Sequence, residues 1–201
     1  MLTGRLERRE PHRVATQHLD STPAARPFAA IDAVPLLDWD TIDRVLRSER
    51  PLDVLTVAAG ERVPVARPRS REDVARLMVA GVSVVVRAAE AHDPGLAALA
   101  QSFEQVLPGE VHVQLHITPA GTNSYGWSYG LEDVFVAQAV GVRDYHFRAN
   151  TVATRLIAGD WLYLPARSWH LATCVENSLS ISVSVMAPAA LRDARHQLRP
   201  L

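Results

Sequence analysis

The chain holds eight histidines and one cysteine, and the residues able to do chemistry gather in its second half. His170 ends the run Gly159-Asp-Trp-Leu-Tyr-Leu-Pro165-Ala-Arg-Ser-Trp-His170. Gly159-Asp160 makes a tight turn, four apolar residues read as a buried strand, Pro165 stops it, and His170 opens the next strand. An imidazole so placed is either a hydrogen-bonded core histidine or a group offered for ligation and proton transfer. His112, Gln114 and His116 recur with period two and share one face of a strand. Further along stand Ser128-Tyr129-Gly130, then Glu132-Asp133-Val134-Phe135, then Arg143 and Tyr145. His116, His170 and either Glu132 or Asp133 could form a metal set. The bland alternative makes the histidines wall or edge-strand side chains and the acids turn residues. Tyr125 and Tyr145 read as core or pocket-lining groups with usable hydroxyls, and Trp127 and Trp169 as flanking a pocket mouth, for packing or for ligand stacking. Cys174 lies in a strand near His170 with no activating set, so it reads as an inert buried thiol.

All 21 basic residues are arginine. Schiff-base chemistry and a P-loop are therefore excluded. Any anion must be held by arginine, a hydroxyl, a histidine or a helix N-terminus.

The elements that must position these groups change texture midway. Residues 1–30 are rich in Arg, Pro, Ala and Thr without periodicity and read as a poorly ordered arm, leaving 31–201 as one domain. Helices are expected over 39–48, from an Asp38 or Asp40 cap; from Ser70 to a stop at Gly81; and from Asp93-Pro94 to about 107. Short strands are expected at 52–57 and 82–86. After Gly109 come strand-like runs at 111–118, 133–140, 144–148, 161–164 and 179–186, separated by turn residues. The last run alternates Leu179, Ile181, Val183 and Val185 with Ser178, Ser180, Ser182 and Ser184, the mark of a half-buried strand. A short helix is expected over 188–198. Helices first and antiparallel strands after give an α+β fold whose strands close into a small barrel or sandwich.

The glycine, proline and histidine spacing of 159–170 resembles the second cupin motif, in which the histidine points into the barrel as a metal ligand. Together with 111–145, the chain resembles the JmjC-type oxygenases over roughly 38–186, nearest the cupin-like branch that includes the ribosomal oxygenases. That resemblance implies a double-stranded β-helix (a cupin or jelly-roll barrel) preceded by flanking helices. It also implies an iron(II) enzyme using 2-oxoglutarate and oxygen. The family holds iron with two histidines and a carboxylate. Its His-x-Asp motif falls on Ser128 and Gly130, so His170 is the one ligand position retained. The family's lysine for the distal carboxylate of 2-oxoglutarate falls on Arg143, which can grip a carboxylate bidentately. Serine is a poor ligand at neutral pH, glycine has no side chain, and one imidazole does not make a tight iron(II) site.

Three functions follow as expectations. The first keeps the pocket without the iron, for non-redox chemistry on, or binding of, a small molecule or peptide. His170, Arg143, Ser128 and Tyr145 then do the chemistry, and Arg143, His116 and Gln114 hold the ligand. The second is an active hydroxylase with a rearranged metal site. The third is a binding or scaffold subunit, including a homo-oligomer. Arginines nearly balance the 22 acids, for a net charge of -1, so no bulk field draws nucleic acid. The longest apolar run, 77–86, is half the ~20 residues a membrane span needs. Residues 1–13 are charged and carry no signal-peptide pattern, and a single cysteine suits a reducing compartment, so a cytoplasmic protein is expected.

Overall fold

The computed structural model describes residues 22–123, 125–148 and 153–187. The three expected helices are present as α1 (Trp39–Leu46), α2 (Arg71–Val79) and α3 (Pro94–Glu104). Each starts at the cap its sequence provides. Asp38 accepts from the Thr41 N–H, Ser70 from that of Asp73, and Asp93 from those of Gly95 and Leu96, with Pro94 in the first turn.

The strands are β1 (Ala24–Arg26), β2 (Asp53–Ala58), β3 (Glu61–Arg62), β4 (Ser83–Arg87), β5 (Glu110–Thr118), β6 (Asp133–Val140), β7 (Arg143–Phe147), β8 (Thr154–Leu156), β9 (Trp161–Leu164), β10 (His170–Cys174) and β11 (Ser178–Met186). An eight-stranded sheet runs β1-β9-β6-β11-β5-β4-β2-β3, and a three-stranded sheet runs β10-β7-β8. Bridges from Asn123 to Thr173 and from Ser128 to His170 set these two residues along the free edge of β10. Two antiparallel sheets facing each other form the double-stranded β-helix.

Period two divides the large sheet into two environments. On one face Val111, Val113, Leu115 and Ile117 of β5 and Leu179, Ile181, Val183 and Val185 of β11 pack with Phe103 of α3, Ile42 and Val45 of α1 and Phe135 and Trp161 of the neighbouring strands. The other face looks across to the small sheet, where Val136, Leu162 and Leu164 meet Tyr145, Phe147 and Leu156. The β6–β7 turn is drawn tight at Gly141 (φ +76°), where a Cβ would lie 2.1 Å from the Asn177 carbonyl oxygen.

Several expectations need correction. Residues 24–26 of the expected loose arm form an edge strand on β9, and Ala30 is buried in the core. Residues 1–21 and the helix expected over 188–198 lie outside the described residues. β11 is buried along nearly its whole length, serines included. Its serine face looks into the barrel, because the small sheet covers it; alternation alone does not separate a solvated face from a cavity wall.

Candidate functional site

The barrel encloses a cavity of about 170 Å³ between the sheets. From the large sheet, Gln114 and His116 of β5 and Ser180, Ser182 and Ser184 of β11 line it. From the small sheet and its edge come Arg143, Tyr145, His170 and Ser128, with Glu132 from the loop before β6. The structure thus brings together His170, Arg143, Ser128, Tyr145, His116 and Gln114. Register explains the grouping. Arg143 and Tyr145 are two apart on β7, and β10 pairs Cys174 with Arg143 and Ala172 with Tyr145. Ser128 and His170 exchange backbone hydrogen bonds of 3.0 and 2.9 Å, so their side chains leave one face side by side.

Arg143 is only 4% exposed. Its Nη2 donates to the Thr118 hydroxyl at 3.0 Å, while its Nε has no partner. Among the described residues no carboxylate forms an ion pair with it. Burial works against its charge, but the Tyr145 hydroxyl and Cys174 thiol beside it tip the net direction upward, so it is a cation at any working pH.

The two cavity histidines are neutral for related reasons. His116 is pushed down to about 3 by burial first and by the Arg143 charge second. Its Nε2 lies 2.9 Å from Ser182 Oγ. His170 is also held below the usual imidazole range by burial, partly offset by its bond to the Ser168 carbonyl. That bond is 2.9 Å from Nδ1, and a carbonyl only accepts, so Nδ1 carries the proton. Nε2 of His170 is therefore a lone-pair acceptor, suited to general-base work or to receiving a ligand's donor.

The residues present do not fit a three-ligand iron(II) site. Beside His170 stands the Ser128 hydroxyl; Gly130 offers nothing, and Asp133 turns away to accept from Tyr163 Oη at 2.9 Å and the Ala166 N–H at 3.1 Å. His112 lies outside the cavity, 3.2 Å from Glu90. Among the described residues no three His, Cys, Asp or Glu side chains converge as metal ligands. The shifted metal set considered from sequence is not assembled.

Of the two expected uses, the tryptophans show packing. Trp127 and Trp169 do not line the cavity. They flank Arg148, whose guanidinium lies 4.0 Å from the Trp169 ring centre and 5.7 Å from that of Trp127, and Tyr129 packs on Trp169 at 4.7 Å. Tyr125 does line the cavity, and Cys174 is a buried free thiol. The serines of β11 are the lining groups sequence reasoning missed. A signal was available: four alternate positions hold serine with no charged residue among them, unusual for a solvated face.

Residues 146–192 match the JmjC domain family model. No curated protein matches the chain. Among solved structures, the fold matches the Escherichia coli ribosomal oxygenase YcfD. Its complex with cobalt and succinic acid aligns at a TM-score of 0.67 and 18% identity, covering 92% of this chain and 56% of that one. The complex with cobalt and 2-oxoglutarate aligns at 0.67 and 17%, with the same coverage. The chain thus has the double-stranded β-helix fold, and it spans little more than half the length of that oxygenase.

Proposed function

We propose that this chain uses an oxygenase-type barrel without an iron centre, binding a small carboxylate in the pocket and acting on it, where it acts, by acid–base rather than redox chemistry. One observation carries this reading. Arg143 is a buried guanidinium facing a cavity, with an unpartnered Nε and no described carboxylate to neutralise it. A buried charge is costly until paired, and a ligand carboxylate can take the Arg143 N–H groups in a bidentate grip. The cobalt complexes of YcfD hold succinic acid and 2-oxoglutarate, both carboxylates. The cavity lies below the roughly 300–1,000 Å³ of drug-sized sites, so the ligand is small.

His170 is the general base in this reading and Tyr145 the hydroxyl beside it, their ring centres 6.3 Å apart. Ser128 and Gln114 complete the polar wall. The reading also places the protein in the cytoplasm, on the single buried thiol and balanced charge, with a small molecule rather than nucleic acid as partner. Among the described residues no helix is long and apolar enough to cross a membrane.

The test is calorimetric titration of the full chain with succinate and 2-oxoglutarate in the presence of a chelator, against Arg143→Met. Binding that survives the chelator and vanishes in the variant is expected. Stoichiometric iron uptake by the unmodified protein, with binding only when iron is present, would replace this reading with that of an active oxygenase.

A further inference from the structure

We infer that the pocket's ligand is a short carboxylate whose far end carries a hydrogen-bond donor, a hydroxyl or an ammonium, given to Nε2 of His170. The inference rests on the carboxylate reading of Arg143 and adds the chemistry of the opposite end. Three observations support it. First, the 2.9 Å contact from Nδ1 to the Ser168 carbonyl fixes the tautomer, leaving Nε2 able only to accept. A second carboxylate on the ligand would set lone pair against lone pair. Second, Glu132 is the one acidic residue among those lining the cavity, and it opposes a second anion while welcoming an ammonium or hydroxyl. Third, Arg143 and His170 belong to one wall and are bridged by Tyr145, which sits beside the Arg143 guanidinium and whose ring centre is 6.3 Å from that of His170. The cavity's volume of about 170 Å³ keeps any ligand joining them short.

The polar wall opposite adds no second cation. His116 is already engaged through Nε2 with Ser182. The cavity therefore presents a cation at one end and an acceptor at the other. That pairing selects a hydroxy or amino acid over a diacid.

Matched acids test this. The full chain, in chelator at pH 7.5, is titrated with butyrate, succinate, 4-hydroxybutyrate and 4-aminobutyrate, and with the five-carbon set pentanoate, glutarate, 5-hydroxypentanoate and 5-aminopentanoate. In at least one length the donor-ended acids bind about tenfold tighter than the apolar-ended acid, the worth of one good buried hydrogen bond, and tighter than the diacid. His170→Phe collapses that advantage, while His170→Gln, which keeps an acceptor oxygen, retains part of it. A diacid binding tightest, or a donor advantage untouched by His170→Phe, overturns the inference and leaves the carboxylate reading standing. Absence of Arg143-dependent binding for all eight acids overturns the carboxylate reading itself, and this inference with it.

Discussion

Arg143→Met should make the ligand-free protein more stable and the ligand-bound protein impossible. The guanidinium is 4% exposed, with a hydrogen bond to Thr118 at 3.0 Å, the Tyr145 hydroxyl and Cys174 thiol beside it, and no described counter-ion. Replacing buried ionic groups by apolar side chains of similar volume is often neutral to stabilising, by up to about 4 kcal/mol. One effect reduces that here: the Thr118 hydroxyl loses an interaction worth about 1 kcal/mol. A net gain of about 1–2 kcal/mol remains, which for a domain of this size raises Tm by about 2–8 °C. The unmodified protein should instead gain about 2.7 kcal/mol at a ligand concentration one hundred times Kd, and the variant nothing. The assay is paired thermal and urea unfolding with and without a donor-ended acid. A variant less stable than the parent without ligand would refute the reasoning, because Arg143 would then be a structural strut and not an anchor held unpaired for a ligand.

Further outcomes follow from the same geometry. Ser128→His with Gly130→Asp should create a stoichiometric site for cobalt(II) or iron(II), seen by absorption spectroscopy or metal analysis. Residue 128 pairs directly with His170, and a Cβ at 130 meets nothing nearer than 3.7 Å; no metal uptake by a folded double variant would show that these are not the ligand positions. His116 resists protonation in the folded state down to about 3, whereas an unfolded histidine titrates near ~6.5. The unfolded state therefore binds more protons below ~6.5, and the protein should lose up to about 2 kcal/mol between pH ~6.5 and ~5, less where cavity water screens the ring. His116→Gln should flatten that dependence in urea titrations relative to the parent, and parallel profiles would refute it. Trp169→Ala removes the platform under Arg148, at a cost of about 1 kcal/mol in cation–π contact, and should leave carboxylate affinity within about twofold; a tenfold loss would place the aromatic cluster in the site. Gly141→Ala should cost about 2–4 kcal/mol in urea unfolding, from backbone strain and the 2.1 Å approach to the Asn177 carbonyl; a change under 1 kcal/mol would mean the turn yields freely.

The fold was legible where caps and turns carry it. Asp38, Ser70 and Asp93-Pro94 each start a helix, Gly109 marks the turn from α3 into β5, and Gly141 and Gly159 mark turns between strands. The short strands β1, β3 and β8 were not legible, because two or three residues hold no period and pairing partners far along the chain decide them. The site was legible through residue type and spacing, which bring Gln114, His116, Arg143 and Tyr145 to one barrel interior. Protonation states, hydrogen-bond partners and counter-ions were not. That Asp133 serves Tyr163 and Ala166, that His112 meets Glu90, and that Trp169 carries Arg148 all depend on contacts between distant segments.

The charge state of the cavity narrows its ligand further than shape does. Arg143 and His116 share one enclosed space, and both cannot be cations there. The guanidinium keeps its proton because its intrinsic pKa is far higher, and the imidazole is neutral through burial first and the Arg143 charge second. His170, neutral through burial, adds no charge. The basic groups of the pocket therefore present a single positive charge, set deep at Arg143, with the Glu132 side chain as the one acidic group on the lining. A ligand carboxylate at Arg143 satisfies that charge. A second carboxylate on the same ligand finds no second cation among the lining residues and meets an acceptor nitrogen and an acidic side chain instead. Enclosure strengthens each of these terms relative to water. A pocket built this way discriminates by charge number, and a monoanion carrying a donor is the species that suits both Arg143 and His170.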